Sequence, residues 1–173
     1  MTDKPEFSRM IDLRSIGDAP VVLSASEDER AALARRFGIV AIKRLEARVE
    51  LVPDGEAVDA SGTLDAAIVQ SCAVSGDDLP ATIHEPFTVR FVPASDAPAA
   101  FDEEIELEED ELDEVEFEGT AFDLGEAVAQ SLALAIDPFA TGPAADDVRR
   151  SHGLMEEGAA GPLAEALKGL RLD

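Results

Sequence analysis

The sequence predicts an α+β fold: an antiparallel sheet of about five or six strands, open or curled towards a barrel, with two main helices packed on one side. Three observations carry this. Between Arg44 and Phe91 apolar residues recur at alternate positions in runs separated by turn signals. A strong helical period appears before and after those runs, at 27–37 and 124–136. The 46% hydrophobic fraction of 173 residues supplies a core for one domain.

Phe7 to Leu13 and Val21 to Leu23 read as short strands on either side of the turn signal Gly17-Asp18-Ala19-Pro20. Ser26-x-x-Glu29 is a capping box, so a helix opens there. Acids at 27–29 suit its positive start, Arg35 and Arg36 its negative end, and Gly38 the residue beyond it. From Leu45 the period becomes two: Leu45, Ala47, Val49 and Leu51 face the core, while Arg44, Glu46, Arg48 and Glu50 face away. Pro53-Asp54-Gly55 turns the chain into a second long strand through Val58, Ala60, Leu64, Ala66 and Ile68, with Gly62 placed for a bulge. After Gly76-Asp77-Asp78-Leu79-Pro80, a third strand brings Ile83, Phe87, Val89 and Phe91 together, completing an antiparallel meander. Glu114-Val115-Glu116-Phe117-Glu118 alternates well enough to rejoin the sheet. Asp123 caps the second helix, whose Leu124, Val128, Leu132, Ala135 and Ile136 recur at helical spacing until Pro138 stops it. Residues 1–140 thus read as a single α+β domain, with 94–114 as a mobile acidic excursion. Residues 141–173 read as a linker and a short C-terminal helical tail at 162–170.

The net charge is −24, from 14 Lys and Arg against 38 Asp and Glu. It is unevenly spread: residues 1–50 carry nine of each sign, and 51–148 carry one base and 25 acids. Asp102 to Glu118 alone holds 12 acids and no base. Such a chain is repelled by DNA and by phosphate surfaces in general, so any contact with RNA needs a locally basic patch. Arg30, Arg35, Arg36, Lys43, Arg44 and Arg48 are the candidates for that patch. The complementary candidates for a basic protein partner are Glu103, Glu104, Glu106, Glu108, Glu109, Asp110 and Glu111, punctuated by Ile105, Leu107 and Leu112. Thr2 to Arg14 is charged throughout, unlike a signal peptide, and no run approaches the roughly 18 apolar residues of a membrane span, so a cytoplasmic location is expected.

Signals of catalysis are sparse. There is no phosphate-cradling glycine loop, nucleophile elbow or i, i+4 histidine pair, and His84 and His152 read as surface residues. The single Cys72 excludes a disulfide framework and has no neighbouring base in sequence to stabilise a thiolate. No catalytic residue, cofactor or metal ligand is assigned.

Val69-Gln70-Ser71-Cys72-Ala73-Val74-Ser75-Gly76-Asp77-Asp78-Leu79-Pro80, the Phe-rich strand after it, and Phe122-Asp123-Leu124-Gly125-Glu126 running to Asp137-Pro138 resemble the YceD family of large ribosomal RNA subunit accumulation proteins. Gln70, Cys72, Asp123, Gly125 and Glu126 carry the family motif. The helix at 29–38 and the tail at 162–168 look like the alphaproteobacterial version. The resemblance implies a non-enzymatic cytoplasmic factor needed for 23S ribosomal RNA accumulation. Its partner would be a basic large-subunit ribosomal protein, the precursor 23S RNA, or both. Some relatives carry Cys-x-x-Cys-like pairs suggestive of a metal site. This chain keeps only Cys72, and Ser151-His152-Gly153-Leu154 offers no partner thiols, so metal binding does not carry over. On the residues alone two other classes stay open: an acidic interaction module unrelated to ribosomes, and a Mg²⁺-dependent RNA-processing enzyme.

Overall fold

A computed structural model describes residues 5–94 and 113–152. Its elements in chain order are β1 (Met10–Asp12), a 3-10 turn (Leu13–Ser15), β2 (Val21–Ser24), α1 (Glu27–Phe37), β3 (Ala41–Asp54), β4 (Ala57–Ser71), β5 (Asp78–Pro93), β6 (Asp113–Phe117), β7 (Ala121–Asp123), α2 (Leu124–Ala135) and α3 (Ala145–Ser151). The main sheet has the order β2-β3-β4-β5-β6, and β1 pairs with β7 in a separate two-stranded ribbon.

The period-two runs form β3, β4 and β5 as predicted, joined antiparallel in a register that places Leu45 beside Ala66 and Ala66 beside Ile83. Side chains on that face, including Val49, Leu64, Phe87 and Phe91, are buried in one cluster with Leu33 of α1 and Val128 and Leu132 of α2. Both helices therefore cover the same face of the sheet. The opposite face, carrying Arg44, Glu46, Ser61, Thr63, Thr82 and Thr88, is exposed.

Five details differ from the sequence reading or settle what it left open. The sheet is mixed, because β6 runs parallel to β5, Asp113 beside Val89 through Phe117 beside Pro93. Among the described residues it is open rather than closed into a barrel, ending at β2 and β6. The register shift falls between Ile42 and Arg44, not at Gly62. Gly62 serves close approach instead: a Cβ there would lie 1.9 Å from the Arg48 carbonyl oxygen. Residues 145–151, read as linker, form α3 with Ala145 buried. The first strand is shorter than predicted, since Asp12 accepts the Arg14 N–H at 2.9 Å and starts the 3-10 turn. The C-terminal tail at 162–170 lies outside the described residues.

The helix signals operate as written. Ser26 Oγ accepts the Glu29 N–H and Glu29 Oε2 accepts the Ser26 N–H at 2.8 Å, while Gly38 at φ 67° ends α1. Phe7, fully buried, ties the N-terminal segment to the core, and Phe91 stacks on Phe122 of β7 with ring centroids 4.1 Å apart.

Candidate partner-binding surfaces

The six basic residues separate into three groups. Arg36 is consumed inside the fold: its guanidinium meets Glu126 in a two-pronged pair and Glu6 at 3.1 Å. Those bonds hold Arg36 above its ordinary pKa and Glu126 below its own. Arg44 and Arg48 stand on the exposed face of β3 among Glu46 and Glu50, with Arg44 only 3.8 Å from Glu46, so that surface is locally balanced. Arg30, Arg35 and Lys43 converge on a groove of about 400 Å³ between α1 and the start of β3. The register shift beside Lys43 leaves both Lys43 and Arg44 exposed in succession.

The acidic candidates Glu103, Glu104, Glu106, Glu108, Glu109, Asp110 and Glu111 lie outside the described residues. The described structure adds an acidic feature of its own, at the point where β6 begins. β6 covers β5 only from Val89 onward, so Glu85 to Thr88 form a bare sheet edge among the described residues. A cleft of about 450 Å³ opens there, lined by Glu85, Pro86 and Thr88 of β5, Asp113, and Ser131, Leu134 and Ala135 from the last turns of α2. α2 carries no basic residue in its last turn, so the negative pole of its dipole is left uncompensated at the same place. Leu134 beside it is 85% exposed. Two carboxylates, a helix C-terminus and an apolar contact together suit a Lys or Arg side chain on an extended peptide.

Sequence reasoning missed Glu85 and Leu134, although each leaves a trace. Glu85 interrupts the inward stripe Ile83, Phe87, Val89, and Leu134 falls off the stripe Leu124, Val128, Leu132.

The five motif residues hold the scaffold. Asp123 caps α2, its Oδ1 accepting the Glu126 N–H at 3.1 Å and the Arg9 N–H at 2.8 Å. Gly125 lets the segment at 7–9 cross α2, since a Cβ would lie 2.6 Å from the Phe7 carbonyl oxygen. Glu126 pairs with Arg36 of α1. Gln70, buried, donates from Nε2 to the Asp137 carbonyl at 3.0 Å. Cys72, 3% exposed, accepts N–H bonds from Ser75 and Gly142 at 3.3 Å each. The Ser75 side chain, then the backbone N–H groups of Ser75, Gly142 and Val74, hold its thiol down at about 6. Gln70 and Cys72 thus fasten the segment at 137–142 to the β4–β5 end of the sheet. The sequence reading found no base near Cys72 and no reason for a thiolate; the donors are the Ser75 side chain and backbone N–H groups, one of the latter brought from 70 residues away.

Among the described residues no helix is long and apolar enough to cross a membrane. No curated protein and no solved structure matches the chain. The model of the family described as large ribosomal RNA subunit accumulation protein YceD matches residues 60–162, more than half the chain, and that span includes Gln70, Cys72, Asp123, Gly125 and Glu126. With those residues found interlocking α1, α2 and the end of the sheet, the chain belongs to the YceD family.

Proposed function

We propose that this protein is a non-enzymatic cytoplasmic factor in large ribosomal subunit biogenesis, which supports 23S RNA accumulation by holding a basic large-subunit ribosomal protein. The cleft at the start of β6 carries this reading: Glu85 and Asp113 face a bare stretch of β5 edge beside the uncompensated end of α2 and exposed Leu134. A Lys/Arg-rich segment laid along that edge gains charge-assisted contacts there, and the acidic residues preceding β6 extend the same sign. Attraction of this kind is fast and salt-sensitive, which suits a holder that gives up its cargo to a stronger polyanion such as ribosomal RNA.

The test titrates purified large-subunit ribosomal proteins, one at a time, against this protein at low and high salt. At least one basic member binds, its affinity falls as salt rises, and Glu85→Lys with Asp113→Lys weakens it about ten-fold or more, equivalent to about 1.4 kcal/mol. Full affinity in the double variant would remove the cleft from the mechanism, and absence of binding by every ribosomal protein would remove the function.

A further inference from the structure

We infer that the groove between α1 and the start of β3 is a second, separate site, and that it binds the phosphate backbone of single-stranded RNA. Arg30 and Arg35 stand on one wall and Lys43 on the other, so the cations flank the groove on both sides. None of the three has a carboxylate within ion-pair distance among the described residues, whereas Arg9, Arg36 and Arg90 are each held in ion pairs of 2.6–3.1 Å. Arg30 makes one long bond, 3.4 Å, to the Ala25 carbonyl. Arg14 and Arg48 are likewise outside any ion pair among the described residues, but neither lines this groove, where three such cations meet in a chain of net charge −24. The β3 register shift that leaves Lys43 exposed beside them is a local departure of the sort that re-aims a side chain.

Between the cations the lining is Ala31, Ala34, Ile39, Val40, Ala41 and Ile42, with no aromatic side chain among them. It offers no stacking platform for bases, so a nucleic acid would be held there by its backbone charge. What it offers is two charged walls along which a repeating anion can run. Glu27 at one end limits how far such a strand extends. RNA is the polyanion in question because the family is one of ribosomal RNA accumulation.

The experiment measures binding of a fluorescently labelled oligouridylate of about 20 nucleotides by anisotropy across a salt series, with an alternating Glu/Leu peptide as the second probe. Replacing Arg30, Arg35 and Lys43 by Gln lowers RNA affinity about ten-fold or more at low salt. It also flattens the slope of log affinity against log salt by about 2, since each phosphate contact contributes about 0.7 for a single strand. A charge-matched variant, Arg48→Gln with Arg149→Gln and Arg150→Gln, stays within about two-fold of the parent. Lys43→Gln alone, on an exposed strand position, removes about 0.7 from the slope and guards against misfolding of the triple variant. Equal loss in both triple variants, no RNA binding by the parent, or binding of the peptide in place of RNA each overturns the proposal. Ribosomal-protein binding at the acidic cleft is read in the same variants and is unchanged, so the two sites fail independently.

Discussion

Arg36 and Glu126 join the two main helices through a two-pronged ion pair, Nη2 to Oε1 at 2.7 Å and Nη1 to Oε2 at 2.9 Å. One partner belongs to the basic helix that reads as a contact surface, and the other to the family motif. Their union takes Arg36 out of the candidate interface. A double-mutant cycle with Arg36→Ala and Glu126→Ala, followed by urea unfolding, returns a coupling of about 0.5–1 kcal/mol, the upper range for part-exposed pairs. A coupling indistinguishable from zero would mean the pair does not form in solution.

Gly125→Ala places a methyl against the backbone of the segment at 7–9, which has no flexible side-chain end to move aside. The expected cost is about 2 kcal/mol, within the range for overpacked sites. Amide exchange at residues 7–12 rises with it, because Leu124 and Asp123 lose their bonds to Arg9. Gly17→Ala, with open space around it and no left-handed backbone, changes stability by less than about 0.5 kcal/mol.

Cys72 gives the fold a pH dependence near neutrality. An acid whose folded pKa is depressed contributes stability above its unfolded value, and that contribution disappears as pH falls through the folded value. With the thiol at about 6 in the fold against 9.0 ordinarily, the thermal midpoint of the parent rises relative to Cys72→Ala between pH 6 and pH 9. Parallel melting curves for the two proteins across that window would show that the thiolate is not stabilised.

Glu29 acts similarly at the acid end. The Arg9 guanidinium, at 2.7 and 2.9 Å, holds its carboxylate at about 2. Stability from this group is complete above its ordinary 4.5 and is lost as pH falls towards 2. Glu29→Gln therefore removes part of the acid sensitivity between pH 4.5 and 2, measured by circular dichroism melts.

Gln70→Leu leaves the Asp137 carbonyl without its donor at the end of α2. The expected loss is about 1–3 kcal/mol. Proteolysis within residues 137–142 speeds up in the same variant, since Gln70 is one of the ties that hold this segment, beside Cys72 and the Ala73 N–H to the Ala140 carbonyl at 2.9 Å.

Local signals carried the fold far. Ser26 with Glu29, Asp123 with Glu126, and the alternation from Leu45 to Phe91 each depend on neighbours in sequence, and the structure repeats them. Pairings across long separations left weaker traces. The parallel docking of β6 depends on where a distant strand finds a free edge, and alternation at 114–118 is the same for either direction. The basic cluster looked single in sequence because Arg35 and Arg36 adjoin, yet successive helix positions diverge by about 100°, sending one to the groove and the other to Glu126. The Cys72 environment was hard to see because, beside the uncharged Ser75 side chain, its donors are backbone groups, which composition does not display.

The parallel β5–β6 pairing sets what the chain between them must accomplish. Asp113 sits beside Val89, four positions back from Pro93 where β5 ends, so the gap to be spanned is about 13 Å at roughly 3.3 Å per residue. Because the strands are parallel, the chain must reverse twice and run back, which takes about a dozen residues or more, and residues 94–112 meet that requirement. Closure entropy changes by only about 0.6 kcal/mol for each doubling of length. By that arithmetic, lengthening the connection between β5 and β6 costs the sheet little, whereas cutting it below the crossover minimum would cost it the parallel pairing.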